Sequence, residues 1–358
     1  MTRRVAAIAG LIVAFGATAA VAIAIWPDRT ADPSPARTGT PVPAVRGGGP
    51  DGTGSVAGAA GTANVSPGTS VAPEVSRFAL QPVTRPLPVR HAFKHPPAAG
   101  VLFDVESGRV LWQRHPRSQR PIASLTKMMT ALLVAQDDSP GERVWVSAKA
   151  AHTPGSATGL LPRGHKVPLE PLLEALIMIS ANDAAVALAE HDNGTVTRFV
   201  KRMNEQARAM ALSCTHFSTP NGLRDRGNHS CALDLAALAR ADLANRRIAR
   251  IASTRYAKPR FPIKGNHLYL SNNHYFLQRG LTGLPQARVT GLKTGFTDGA
   301  GRCYVTTAAI GKHELGVVIL DSPNPLLQVP ALLRAGFQEE GVPVPQPPPA
   351  QPKQPPER

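Results

Sequence analysis

Between Pro27 and Ser76 the chain contains no Leu, Ile, Met, Phe, Tyr or Trp. Pro, Gly, Ala, Thr, Ser and Val dominate instead. Such a stretch cannot bury enough apolar surface to offset the entropy of ordering it. Residues 27–76 are therefore expected to form a disordered linker. For a flexible linker of ~50 residues the r.m.s. span is about 40 Å. The proline-rich end, residues 341–358, is expected to be disordered or polyproline-like. What can fold is thus confined to residues 77–340 of the 358, enough for one large domain or two small ones.

Ahead of the linker, Arg3 and Arg4 precede an apolar run from Val5 to Trp26. A run of that length can cross a bilayer as a helix, and it exceeds the usual core of a cleavable signal. Positive charge on its leading side keeps the N-terminus in the cytoplasm and exports the rest. Ala17-Thr18-Ala19 and Ala20-Val21-Ala22 also offer small-residue cleavage sites. Residues 1–26 read as a membrane anchor or signal segment, with the anchor favoured. The folded part is expected on the extracytoplasmic face of the cell membrane, or secreted if the segment is cleaved.

Forty Lys and Arg stand against 24 Asp and Glu, a formal charge of +16. A basic chain suits nucleic acid, acidic membranes or anionic polymers. Only 5% of residues are aromatic, and no zinc-finger, RNA-recognition or basic-zipper pattern occurs. A nucleic-acid partner is set aside. A solubilising basic surface, or contact with an anionic wall or lipid surface, remains.

Within residues 77–340, Gly100–Val105 and Val110–Gln113 read as a hairpin across the turn at 106–109. Helical patterns follow at 124–135, 169–179, 184–190, 196–212 and 233–244. Residues 304–310 and 315–320 alternate as strands. A last helix is expected around 326–337, with Pro330 placing its middle in question. Strands at both ends with helices between them give an α+β plan in which the terminal strands meet in one antiparallel sheet.

Three short segments carry chemistry. Ser124-Leu125-Thr126-Lys127 sets a hydroxyl and an amine at i and i+3, on one face of a helix. A serine hydroxyl is a poor nucleophile until a neighbouring base takes its proton. Ser180-Ala181-Asn182 lies between two helical runs, where a hydroxyl and an amide can point into a cleft. Ser271-Asn272-Asn273 and Ser322-Pro323-Asn324 fit the same pattern, but placement favours Ser180. Lys293-Thr294-Gly295 supplies a cation and a hydroxyl, a seat for a carboxylate. Its glycine lets a ligand backbone lie close against a strand. Each segment also has a plain structural reading: Ser124, Ser180 and Asn182 as helix caps, Lys293 as a surface lysine.

With the three in this order the chain resembles the penicillin-recognising serine enzymes, whose signature is S-x-x-K, S-D-N and K-T-G. It is most similar to the low-molecular-mass D-alanyl-D-alanine carboxypeptidases. Gly159-Leu160 through Ala189-Glu190, the stretch Thr219-Pro220-Asn221-Gly222-Leu223 and residues 298–303 support the likeness, which covers about Phe78 to Leu320. The resemblance implies a β-lactamase/transpeptidase-like fold, an antiparallel sheet with helices on both faces and a cleft beside the K-T-G strand. It implies that Ser124 is the acylated nucleophile, Lys127 its base and Ser180 a proton relay. Asn182 would bond the peptide and Lys127, and Lys293 and Thr294 would hold the terminal carboxylate beside Gly295. The N–H groups of Ser124 and Phe296 would form an oxyanion hole. The implied activity is removal of the terminal D-alanine from peptidoglycan stem peptides, with β-lactams as covalent inhibitors and no cofactor or metal. A D,D-endopeptidase acting on cross-bridges, or a non-enzymatic β-lactam- or wall-binding protein, are the alternatives. Ala181 replaces the signature's Asp. Residues 211–220 also lack the glutamate that class A β-lactamases use for deacylation.

Cys214 and Cys231 flank a loop containing His216 and His229. The four can be read as a zinc site, but in an exported domain a disulfide is favoured. Cys303 is left over, expected as a buried thiol.

Overall fold

In the computed structural model the described residues are 77–81, 86–223 and 226–345. The expected anchor, the linker and most of the proline-rich tail lie outside them. Among the described residues no helix is long and apolar enough to cross a membrane.

Five strands make the central sheet: β1 (Ala99–Asp104), β2 (Val110–Arg114), β3 (Arg288–Thr297), β4 (Gly301–Ile310) and β5 (His313–Leu320). Their spatial order is β2-β1-β5-β4-β3, and every neighbouring pair is antiparallel. The first and last strands in sequence thus pair at the centre, Val101 opposite Val318. The strand carrying Lys293-Thr294-Gly295 falls at an edge.

Alternation along each strand feeds two cores. Val101, Phe103, Val305, Val318 and Leu320 enter one apolar cluster. Leu102, Leu315, Val317 and Ile319 enter the other. Helices cover both faces. The first cluster is completed by α1 (Lys127–Asp137), α2 (Leu169–Met178), α3 (Asn182–Asn193), α4 (Val196–Ala209), α5 (Ala232–Ala244) and α6 (Arg246–Ala252). The second is completed by α7 (Tyr275–Arg279) and α8 (Pro325–Glu339). The α+β plan with helices on both faces is the architecture found.

Two local differences stand out. α8 runs unbroken through buried Pro330. Burial of Val329, Leu332, Leu333 and Phe337 outweighs the one hydrogen bond that proline cannot donate. The segment expected as a helix from Ser124 begins instead with a 3₁₀ turn, Ala123–Thr126, and the α-helix starts at Lys127. In a 3₁₀ turn residues i and i+3 eclipse, which sets Lys127 over Ser124.

Candidate active site

The 3₁₀ turn is held in place by two close approaches. A Cβ on Gly222, whose φ is +72°, would lie 1.9 Å from the Ala123 carbonyl oxygen. A Cβ on Gly295 would lie 3.0 Å from the Ile122 oxygen and 3.1 Å from the Ser124 nitrogen. Glycine at 295 was expected to admit a ligand backbone. The backbone it admits is the protein's own, the turn that presents Ser124.

Lys127 is the hub. Its side chain is 1% exposed. Nζ lies 3.0 Å from Ser124 Oγ, 2.7 Å from Asn182 Oδ1 and 2.6 Å from the Asn221 carbonyl oxygen. Asn182 Nδ2 donates to the Pro154 carbonyl at 2.9 Å, which fixes which end of the amide faces Lys127. Burial holds the Lys127 amine well below the ordinary lysine range. Nearby Lys293 pushes it the same way, against an upward pull from Asp183.

A neutral amine has two N–H donors and one lone pair. Asn182 Oδ1 and the Asn221 carbonyl can only accept, so they take both donors. The lone pair is left for Ser124, whose hydroxyl can donate. This is the arrangement of a general base poised on a nucleophile.

Ser180 sits at the α2–α3 junction with φ +62°, 4% exposed, and its Oγ has no hydrogen-bond partner among the described residues. An orphaned buried hydroxyl in a strained backbone calls for a functional account. Neither Ser124, Ser180 nor Asn182 caps a helix through its side chain. Asp183 accepts from the N–H and hydroxyl of Thr158 and from the Gly159 N–H, pinning the 154–159 segment beside the site. Of the rival S-x-N copies, the one at 271–273 contributes Asn273 to the cleft lining but has its serine exposed on a separate ribbon, and the one at 322–324 is structural. Asn272 donates to the Thr254 carbonyl, and Ser322 is buried against Gln328.

On the edge strand, Lys293 and Gly295 face the helical layer, and Thr294 and Phe296 alternate to the other side. Lys293 is buried, donates to the Thr294 carbonyl at 2.9 Å, and has its pKa lowered by burial to about 7. Arg302 pairs with Phe296, and Tyr304 with Thr294. Ser124, Ser180, Thr294, Phe296, Arg302 and Tyr304 line a cleft of about 470 Å³. The exposed cation in its wall is Arg302, with Lys293 behind. Sequence reasoning missed Arg302, Tyr304, Asp183 and the Asn221 carbonyl. The stretch 219–223 belongs to the family likeness, but nothing local says that a backbone oxygen there meets Lys127.

Cys214 and Cys231 form a disulfide with Cα atoms 5.6 Å apart. Both sulfurs are used in that bond, so they are not thiolate ligands for zinc. Cys303 is buried outside the disulfide, its thiol donating to the Ala300 carbonyl at 3.4 Å. The disulfide closes the loop that carries Asn221, which Thr130 also grips through the Pro220 carbonyl at 2.6 Å. Replacing both cysteines by alanine is expected to cost roughly 3 kcal/mol of stability, read by denaturant unfolding. It should also lower activity, because the Asn221 carbonyl loses its tether.

Comparison with known proteins gives a consistent set of likenesses. Residues 89–324 match the family model for the S11 peptidases, D-alanyl-D-alanine carboxypeptidase. The D-alanyl-D-alanine carboxypeptidase DacF of Bacillus subtilis is 30% identical over 255 residues, 70% of this chain and 62% of that one. This chain therefore spans less than two thirds of that relative. A D-alanyl-D-alanine endopeptidase of Escherichia coli is 28% identical over 248 residues, 68% of this chain and 78% of its own. A solved D-alanyl-D-alanine carboxypeptidase of Mycobacterium tuberculosis superposes with a TM-score of 0.64 at 28% identity, covering 70% of this chain and 94% of that one.

Proposed function

The chain belongs to the S11 family of D-alanyl-D-alanine carboxypeptidases, and on that footing we propose that it removes the terminal D-alanine from peptidoglycan stem peptides through an acyl-enzyme on Ser124. The observation that carries the reading is the hydrogen-bond set of Lys127, whose two carbonyl acceptors leave the amine lone pair for Ser124.

Ser124 Oγ attacks the carbonyl carbon of the penultimate D-alanine as its proton passes to Lys127. The N–H groups of Ser124 and Phe296 receive the oxyanion; one lost donor of this kind costs about 3 kcal/mol of transition-state stabilisation. The C–N bond then breaks, and Ser180 relays a proton to the departing D-alanine nitrogen. Water then attacks the ester: its oxygen stays on the peptide's new carboxyl group, and one of its protons passes by way of Lys127 to the departing Ser124 oxygen. A β-lactam acylates the same oxygen. Thr294 and Arg302 face the substrate's terminal carboxylate. Burial keeps Lys127 neutral, and Lys293 adds to it from behind.

Mass spectrometry after incubation with a D-Ala-D-Ala pentapeptide tests the activity. The expected products are the tetrapeptide and free D-alanine. An untouched pentapeptide with a cross-linked dimer cleaved would make the enzyme an endopeptidase. Neither cleaved, with penicillin bound, would make it a binding protein.

We place the domain outside the cytoplasmic membrane, held by the run Val5–Trp26 or released after its cleavage. The apolar run behind Arg3 and Arg4 and the disulfide in the folded part support this reading. Fractionation of cells should recover the chain with membranes or medium and not with cytosol.

A further inference from the structure

Beside the cleft, the sequence and the surface share an unusual feature. From Leu243 to Thr297 the chain has no Asp or Glu, yet it carries ten Lys and Arg. Part of this segment forms a small antiparallel ribbon, Tyr256–Ala257 paired with Leu270–Ser271 and extended by the Arg260–His267 bridge. Its inward positions, Phe261, Leu268 and Leu270, are buried in the helical core. Its outward positions are Tyr256, Lys258 and Arg260 on one strand and Tyr269 and Ser271 on the other.

Tyr256 is 69% exposed and Tyr269 73%, and the Lys258 ammonium lies 5.0 Å over the Tyr269 ring. Arg247 and Arg250 are engaged by Glu170 and Glu174. Among the described residues Arg255, Lys258, Arg260 and Lys264 form no ion pair with a carboxylate, and all four are exposed. Folding does not account for two exposed tyrosine rings among cations that have no carboxylate partner. Tyrosine and arginine are enriched where proteins bind partners, and a cluster of cations without carboxylate partners attracts anions.

The outward line of the ribbon leads into the cleft. Positions 269, 271, 273 and 275 are all exposed, and Asn273 lines the cleft with Ser124. At strand spacing, Tyr269 lies at most about 14 Å from Asn273. A five-residue peptide, fully extended, reaches about 17 Å. A stem peptide with its C-terminal end in the cleft can therefore place its other end, where a glycan chain begins, at the ribbon.

We propose that this ribbon is a second substrate surface that binds the glycan strand of polymeric peptidoglycan. Tyr256 and Tyr269 pack against the apolar C–H faces of the sugar rings, as an amphipathic ring with a polar edge can. Arg255, Lys258, Arg260 and Lys264 attract the carboxylates of neighbouring stem peptides. The proposal rests on the carboxypeptidase reading of the cleft and adds the polymer as the preferred form of the substrate.

The test uses the full chain in two assays run side by side: co-sedimentation with insoluble peptidoglycan over a salt series, and hydrolysis of a soluble D-Ala-D-Ala pentapeptide. Tyr256→Ala/Tyr269→Ala should sediment at least tenfold more weakly while cleaving the soluble peptide at the wild-type rate. Lys258→Gln/Arg260→Gln should flatten the salt dependence of sedimentation and also spare the soluble rate. Sedimentation of both variants equal to wild type would overturn the proposal. So would capture of wild type by anionic phospholipid vesicles, lost in these variants, with no capture by peptidoglycan; the ribbon would then be a lipid-binding face. Failure of wild type to cleave the soluble peptide would sink the reading of the cleft, and sedimentation would still decide the ribbon.

Discussion

Ser124→Ala is expected to abolish covalent labelling by a fluorescent penicillin and to bring kcat/KM on a D-Ala-D-Ala peptide to background, with the fold intact. No other hydroxyl lies within hydrogen-bonding distance of the Lys127 amine among the bonds the structure shows. Labelling that persists in the folded variant would remove Ser124 from the mechanism. Lys127→Met should cost about 10²–10⁴ in the acylation rate, the usual contribution of a positioned base. Lys127→Arg should do no better, because a guanidinium keeps its proton. The pH dependence follows from the same site. The base works only when neutral, so acylation should fall as pH drops through the Lys127 pKa. Burial and Lys293 put that limb well below the ~10.4 of a free lysine. Lys293→Met removes the neighbouring cation and should move the limb to higher pH. A limb that stays in place in Lys293→Met, followed by the rate of penicillin labelling, would exclude electrostatic coupling between the two lysines.

Arg302→Leu is expected to raise KM for a peptide ending in a free carboxylate, with kcat much less affected. Arg302 is the exposed cation in the cleft wall, beside Phe296 and one strand across from Thr294. A charge-assisted hydrogen bond is worth about 1.5–3 kcal/mol, or roughly 10- to 150-fold in kcat/KM. The same peptide amidated at its C-terminus lacks the recognised charge. Wild type and Arg302→Leu should therefore process it alike. Lys293→Met gives the contrasting pattern, a loss in kcat with a shifted pH profile, because its amine is buried and hydrogen-bonded to the Thr294 carbonyl. Equal KM values for Arg302→Leu and wild type on the acid substrate would return the carboxylate to Lys293 and Thr294 alone.

The meeting of Ser124 and Lys127 was legible because it is local. Once the segment turns helically, three residues of spacing bring a hydroxyl and an amine together. The antiparallel sheet was legible for a related reason: residues 100–105 and 315–320 are short, apolar, β-branched-rich runs, and each needs a partner for its backbone groups. The disordered linker remains an expectation from composition, since residues 27–76 lie outside the described residues.

Long-range pairing decided the rest. Strand register puts Arg302 opposite Phe296 and so into the cleft; one residue of slip would turn it to the other face. The Asn221 carbonyl reaches Lys127 across 94 positions of sequence, on a loop closed by a disulfide and by Gly222. A backbone oxygen leaves no mark in the residue code. Burial, which only the packed structure supplies, lowers the pKa of Lys127 and sets Lys293 behind the wall where the sequence suggested a carboxylate seat. The residue types and their order by themselves singled out the candidate side chains. Only the tertiary structure decided their protonation, their neighbours and the direction each one faces, because those depend on solvent exclusion and on contacts between segments far apart in the chain.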